Sequence, residues 1–399
     1  MPPSKPRLLV LASTFPARPN DGIPAFVQDL AQAQSAEFDV RVLVPRVPHA
    51  PRTEVSPAGV TVTRFAYFPR RWEDLADGAI IENLRARPSR WLQVLPFLVA
   101  EAWAIRKEIR HFRPHAIHAH WIIPQGFIAT LIAPRVPRVV TSLGGDLYAL
   151  RAAPLRAAKS WVLSRAGAVT AVNTDMTQTA IDLGAPQEIC HTIPMGADLD
   201  RFSPQGRPLG KSGRLNLLFV GRLVEKKGLS VLLRTLREHG THMTLTVVGD
   251  GPLRAQLERE AQGLPVTFKG QRTRDQLAED YRSHDVIVVP SVPAASGDQD
   301  GLPVALLEAM GTGCPVIASN LPGLNEAVIH GSSGLLVEPR DTDELGAALE
   351  RLRDDLDYRQ LLAEGAAQRA QLFSVEATAE RYCAIIHDII KKAPTDSKA

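Results

Sequence analysis

Cysteine is scarce. The 399-residue chain has three, Cys190, Cys314 and Cys383, widely spaced and odd in number. Such a set forms neither a disulfide framework nor a metal-ligand pattern, and it fits a reducing, cytoplasmic compartment. Charge excess is small as well. Net charge is +3; residues 1–200 hold 22 Lys+Arg against 17 Asp+Glu, hence +5, and the remainder holds 24 against 26, hence −2. That bias permits an acidic ligand or a membrane surface near the first half, but it lacks the concentrated basic patch of a nucleic-acid binder. Long hydrophobic runs are missing too. The opening "MPPSKPRLLVLASTFP" has too short an apolar run for a signal peptide and reads as a first strand. The later "WLQVLPFLVAEAW" is interrupted by Gln93, Pro96 and Glu101. It falls short of the ~20 residues that span a bilayer. Peripheral contact at an inner membrane face is the membrane role these patterns still allow. Finally, no GxGxxG follows any strand, which counts against a dinucleotide-dependent dehydrogenase.

What is present is alternation. "RLLVLAS", "DVRVLVP", "GVTVTRFAY", "AIHAHW", "RVVTSLG", "AVTAVN" and "ICHTIPMG" read as short apolar strands separated by turns or helices. Residues 70–92 read as irregular, and "LPFLVAEAWAIRKEIRHF" as a helix. Residues 198–214, polar with Pro and Gly, mark a linker. The pattern then restarts with "LNLLFVG", "MTLTVVGDG", "VTFKG", "DVIVVPS", "PVIAS" and "SGLLVEP" as strands. The expected fold class is α/β, two tandem Rossmann-like parallel-sheet domains facing across a cleft. The domains are placed at 1–200 and 213–373, with the amphipathic helix 374–391 crossing back to the first. Ligands in such sheets bind at the carboxyl ends of the strands, so the chemistry is sought in the loops that follow them.

Four such loops stand out in the second half. In "FVGRLVEKKG", Arg222 offers a planar donor fork and Lys227 a point charge, a pair suited to a diphosphate or simply to solvent. In "VVGDGPL", Gly249 opens a tight turn before a helix, either a connector or an anion-binding N-terminus. In the segment 297–317, "GDQDGLPVALLEAMGTGCPVI", Asp300 precedes a helix and Glu308 sits on it. Carboxylates there can accept from paired sugar hydroxyls. In "SNLPGLNEAV", Gly323, Leu324 and Asn325 open another helix whose N–H groups can face a phosphate. On the first half, His118 and His120 share a strand face by the period of two. His120 is the nearer to the strand end, and Asp146 either meets an acceptor hydroxyl or caps the next helix.

"GRLVEKKG", "VVGDGP", "VTFKG", "DVIVVPS" and "DGLPVALLEAMGTGCPVIAS", in this order, resemble the nucleotide-sugar domain of the GT-B fold retaining glycosyltransferases of family 4 (glycosyl transferases group 1). The first half resembles the acceptor domain of that family more loosely, in "TFPARPNDGIPAFVQDLA", "HAHWIIPQG", "TSLGGDLY" and the hinge-like "IPMGADLDRF". The resemblance implies a retaining hexosyltransferase that uses an NDP-sugar as co-substrate, needs no resident cofactor or metal, and acts on a glycan or lipid-linked acceptor. It implies that Arg222 and Lys227 hold the diphosphate and that Glu308 binds the ribose. Asp300 would lie under the transferred sugar, Gly22 would approach the donor phosphate, and Gly323–Leu324–Asn325 would contact donor through the backbone. Arg222, Lys227 and Asp300 would then carry the catalysis. The chain departs from the family pattern at Asp300, where a Glu is usual, at Leu143, where a His is common, and at Met195, where Asn is usual. Two other readings are a sugar-nucleotide epimerase of similar fold and a non-catalytic nucleotide-sugar-binding subunit.

Overall fold

A computed structural model describes residues 5–17, 25–78, 80–148, 152–205, 207, 213–295 and 297–393. The chain divides into two compact units. The first comprises Met1–Val172, Met176–Ile193 and Thr378–Ala399; the second comprises Asn173–Asp175 and Pro194–Ala377.

The first unit is built on an eight-stranded sheet. Its strands are β1 (Arg7–Leu11), β2 (Asp39–Pro45), β3 (Thr53–Val55), β4 (Thr61–Phe65), β5 (Ala116–His120), β6 (Arg138–Ser142), β7 (Ala168–Ala171) and β8 (Cys190–Thr192), in the order β3-β4-β2-β1-β5-β6-β7-β8. Residues alternate between its faces. Leu8, Val10, Val40 and Val42 pack with Val27, Leu30, Tyr382 and Ile386 on one side. Leu9, Leu11, Leu43 and Ile117 pack with Phe97, Ile105 and Ile128 on the other. Tyr382 and Ile386 belong to the helix Val375–Lys392, whose apolar face is part of this core. Each such fully buried side chain contributes roughly 1.5–3 kcal/mol of transfer free energy.

Three sequence expectations need correction. Residues 70–92, read as irregular, hold the helix Ile80–Ala86. Strand β3 runs antiparallel to β4, so this sheet is not wholly parallel. Its three residues are mostly exposed and lie between Pro51 and Pro57, which erased any apolar signal. The helix expected to start at Leu95 begins at Trp91 and runs to His111, with Pro96 inside it. Pro96 is the sixth residue of this helix, past the four N–H groups that are free at any helix start, so the helix forgoes one i→i−4 hydrogen bond there.

The second unit has a six-stranded, fully parallel sheet: β9 (Leu215–Val220), β10 (Met243–Val248), β11 (Val266–Gly270), β12 (Val286–Val289), β13 (Val316–Ser319) and β14 (Leu335–Val337), in the order β11-β10-β9-β12-β13-β14. Its core joins Leu217, Phe219, Val247, Val288 and Ile317 from the sheet to Leu232, Leu236, Leu349 and Leu362 from the helices. The order reverses at β9, the first strand, with β10 on one side and β12 on the other. A ligand crevice forms at such a switch point, outside the carboxyl ends of the strands.

Candidate functional site

The four second-half loops singled out in the sequence follow β9, β10, β12 and β13, which are neighbours in the sheet. Parallel strands put all four loops at one edge. Single glycines let them touch backbone to backbone. A Cβ on Gly249 would lie 1.9 Å from the Gly221 carbonyl oxygen, joining the β10 loop to the β9 loop. A Cβ on Gly228 would lie 1.8 Å from the Pro290 oxygen, joining β9 to β12. A Cβ on Gly323 would lie 1.8 Å from the Gly301 oxygen, joining β12 to β13. All three have positive φ, at +128°, +67° and +85°, so glycine is required by conformation as well as by space.

Charge is concentrated on this stitched rim. Lys227 ends the short turn Glu225–Lys227, and its Nζ stands 3.0 Å from Oδ2 of Asp300. The Ser291 hydroxyl, just beyond β12, donates to the same oxygen at 2.6 Å. Asp300 is only 7% exposed. Burial pushes its carboxyl up, but the charges of Lys227 and Lys226 and the Ser291 hydrogen bond outweigh burial and hold it below the ordinary carboxylate value. It is therefore an anion at neutral pH. Lys226 is itself paired with Asp298 at 3.0 Å. Arg222 lies on the same β9 loop and is exposed.

Glu308 lies on the helix Val304–Gly311 and is 9% exposed. The buried Tyr281 hydroxyl donates to its Oε2 at 3.2 Å. Burial first, and then the Glu308 charge, push the tyrosine well above its usual value, which keeps it a donor. Glu308 is thus a fixed, buried carboxylate and not a solvated helix residue. Tyr281 and Ser291 were not singled out from sequence. Their only signals were a tyrosine on the apolar side of "LAEDYRSH" and a serine at a strand end.

The remaining positions fall differently. Gly323 is buried, and Leu324 is fully buried in the packing. The Asn325 N–H donates to Leu321 O at 3.0 Å and its amide to Asn320 Oδ1 at 3.1 Å. Donor contact through the Asn325 N–H, which the resemblance implied, competes with that bond. Gly22 lies outside the described residues.

In the first unit, His118 and His120 do share a face, with rings stacked 4.1 Å apart. Both are buried, and burial pushes both imidazoles down, His120 to about 3 and His118 also well below its usual value. They are neutral at pH 7. His118 Nε2 meets Thr141 Oγ1 at 2.8 Å, and Thr141 meets Thr170 Oγ1 at 2.6 Å. The Asp146 carboxylate turns inward, accepting from the Ile122 N–H at 2.7 Å and the Ser142 hydroxyl at 2.8 Å. It ties two post-strand loops together, and burial raises its pKa. Neither of these bonds caps the next helix, Ala153–Leu163, whose start carries no side-chain cap, so the capping role expected from sequence is not what the carboxylate does.

Residues 214–355 match the family model described as glycosyl transferases group 1, and residues 21–196 match that of the glycosyl transferase 4-like domain. The amylovoran biosynthesis glycosyltransferase AmsK of Erwinia amylovora is 36% identical over 179 residues, 43% of this chain and 44% of that protein. The chain thus spans about half the length of that relative, and similarly of the colanic acid biosynthesis glycosyltransferase WcaL of Escherichia coli, at 34% identity over 44% of this chain and 48% of that one. Among solved structures, sucrose-phosphate synthase of Thermosynechococcus elongatus superposes with a TM-score of 0.80 at 20% identity, covering 97% of this chain and 100% of that one. Anabaena HepE in complex with UDP-glucose does so with a TM-score of 0.70 at 19% identity, covering 97% and 99%. The two family models cover successive parts of one chain that has two α/β units with largely parallel sheets: the chain has the GT-B fold and belongs to the group 1 glycosyltransferases.

Proposed function

We propose that this chain moves a hexose from an NDP-sugar to a hydroxyl of a glycan or lipid-linked acceptor, with retention at the anomeric carbon and without a metal ion. The observation that carries the reading is the Lys227–Asp300–Ser291 cluster on the strand-end rim, together with the buried Tyr281–Glu308 pair on the helices Arg274–Ser283 and Val304–Gly311. An NDP-sugar offers three things to such a rim: a diphosphate, a ribose diol and a hexose with several hydroxyls. Lys227 and Arg222 are the cations for the diphosphate. Glu308, oriented by Tyr281, accepts from the ribose hydroxyls. Asp300, ionised and anchored through Oδ2, presents its other carboxylate oxygen to a sugar hydroxyl.

In the transfer step the bond from the anomeric carbon to the β-phosphate oxygen breaks. Its electron pair stays on the diphosphate, and positive charge grows on the sugar. Lys227 and Arg222 stabilise the departing diphosphate, while Asp300 stabilises the cationic ring from a site where water screens weakly. The acceptor hydroxyl forms the new bond and loses its proton; the leaving phosphate is the base in this reading. The role of AmsK as a glycosyltransferase of amylovoran biosynthesis supports transfer in a biosynthetic reaction, and the UDP-glucose complex of HepE supports a nucleotide-sugar donor.

The test is a calorimetric titration with UDP-, GDP- and ADP-sugars, followed by incubation of labelled donor with candidate acceptors. One nucleotide class should bind, and Glu308→Ala and Lys227→Ala should each weaken binding or turnover more than about tenfold, since hydrogen bonds to charged groups are worth ~1.5–3 kcal/mol. If no nucleotide sugar binds, the reading fails. Binding without any glycoside product would favour a non-catalytic subunit, and an epimerised donor would favour an epimerase.

A further inference from the structure

The helix Trp91–His111 presents an outer face unlike that of an ordinary solvated helix. Trp91, Leu92, Leu95, Val99 and Trp103 are each between 61% and 74% exposed. At 3.6 residues per turn these five fall within an arc of roughly 120°, one stripe ~18 Å long. Arg106, Lys107 and Arg110 continue the same face over the next two turns, all exposed. The two acids of the helix point the other way. Glu108 is buried and pairs with Arg41 at 3.0 Å, and Glu101 is buried and accepts from Gln125 at 3.0 Å. The outer face therefore carries large apolar side chains and three cations, and no acid.

We infer that this face docks on a bilayer surface containing anionic lipid. The helix is not a span: among the described residues no helix is long and apolar enough to cross a membrane. A helix with an apolar stripe and basic residues on the exposed side lies in the interface plane, and its binding adds buried apolar area to attraction for anionic headgroups. Tryptophans stand at both ends of the stripe, and their rings favour the headgroup level. The Lys107 ammonium lies 6.0 Å from the Trp103 ring centre, so cation and aromatic are presented together. The preceding segment adds to this chemistry. Trp72 is 53% exposed with the Arg71 guanidinium 3.8 Å over its ring. That segment is anchored to the helix start through Asp74, which accepts from Arg90 at 2.7 Å and from Gln93 at 2.8 Å. A second copy of the chain is the poorer occupant. A two-fold contact through this face would bring both sets of three cations into one interface, and the helices would supply no exposed acid to meet them. The surface lies entirely in the first unit and does not depend on the donor-site reading.

The experiment is flotation of the full chain with phosphatidylcholine vesicles, with and without phosphatidylglycerol, at low and high salt. Binding is expected on the anionic vesicles only, weakening with salt, with a blue shift of tryptophan emission that Trp91→Phe/Trp103→Phe diminishes. Leu95→Glu/Val99→Glu and Arg106→Glu/Lys107→Glu should each lower partitioning by about tenfold or more. These side chains are exposed, so circular dichroism should be unchanged, and any nucleotide-sugar binding should be kept. Three results would overturn the inference. The wild-type chain fails to float with anionic vesicles at low salt. Or both variants float like wild type. Or the apolar variant abolishes self-association in a chain that never binds vesicles, which would assign the face to a second copy.

Discussion

Replacing Lys227 by methionine keeps the aliphatic stem and removes the charge that faces Asp300. In the native unit that carboxylate is 7% exposed, 3.0 Å from Lys227 Nζ. At an effective dielectric near 20 the gross attraction at this distance is about 5 kcal/mol. Breaking a buried pair costs about 3–5 kcal/mol, because the remaining charge is left uncompensated. Lys227 is itself 18% exposed, and Lys226 and Ser291 continue to favour the anion, so the expected loss is nearer 2–3 kcal/mol. For a unit of this size that is a fall of about 5–10 °C in the calorimetric transition. The double variant Lys227→Met/Asp300→Asn removes the orphaned charge and should recover a substantial part of the loss, a coupling of ~1–2 kcal/mol. The pH dependence carries a sign. In the native unit the Asp300 pKa is depressed, so its contribution is present above about pH 4 and is lost as pH falls through the folded value. Without Lys227, the largest effect opposing burial is gone and the carboxyl moves up, so the penalty of Lys227→Met should shrink as pH is lowered. Additive losses in the double variant, or a penalty independent of pH, would refute the account of this pair.

Other outcomes follow from the same geometry. Tyr281→Phe removes the donor to Glu308 Oε2 and should weaken nucleotide-sugar binding by about fivefold, consistent with one hydrogen bond of ~1 kcal/mol, whereas Glu308→Ala should exceed tenfold; calorimetric titration separates them. Gly323→Ala would place a methyl 1.8 Å from the Gly301 oxygen and should sharply reduce the yield of folded protein. Gly144→Ala is the control, since its φ is also positive (+111°) but no atom lies within 4 Å, and it should lose only about 1–2 kcal/mol. All five tryptophans lie in the first half of the sequence, so their emission follows the first unit alone. Below about pH 6.5 the depressed His118 and His120 each favour unfolding by about 1.4 kcal/mol per pH unit, because the unfolded chain binds the protons. Glu101, raised by burial to about 8, works in the opposite sense, its cost growing as pH rises from about 4.5. Glu101→Gln should therefore steepen the acid limb of stability and raise stability near pH 8; an unchanged profile would show that the buried carboxyl does not titrate this way.

The sequence by itself determined the strand plan. All six strands of the second unit and seven of the eight in the first were legible, because each is a local apolar run bounded by turn residues. It also placed Lys227 and Asp300 in loops after strands and Glu308 on the helix that follows, since those positions are fixed by spacing along one chain. Strand β3 escaped because three residues, two of them exposed, carry no periodic signal. What only the tertiary structure decided is pairing between residues distant in sequence. It joined Lys227 to Asp300 across 73 positions and Tyr281 to Glu308 across 27. It brought Gly228 against the Pro290 carbonyl, and it turned Glu101 and Glu108 inward, leaving the outer face of their helix apolar and basic. Periodicity reports which side of an element is apolar. Whether that side is covered, and which charge meets which, depends on how the elements pack, and no local pattern encodes that.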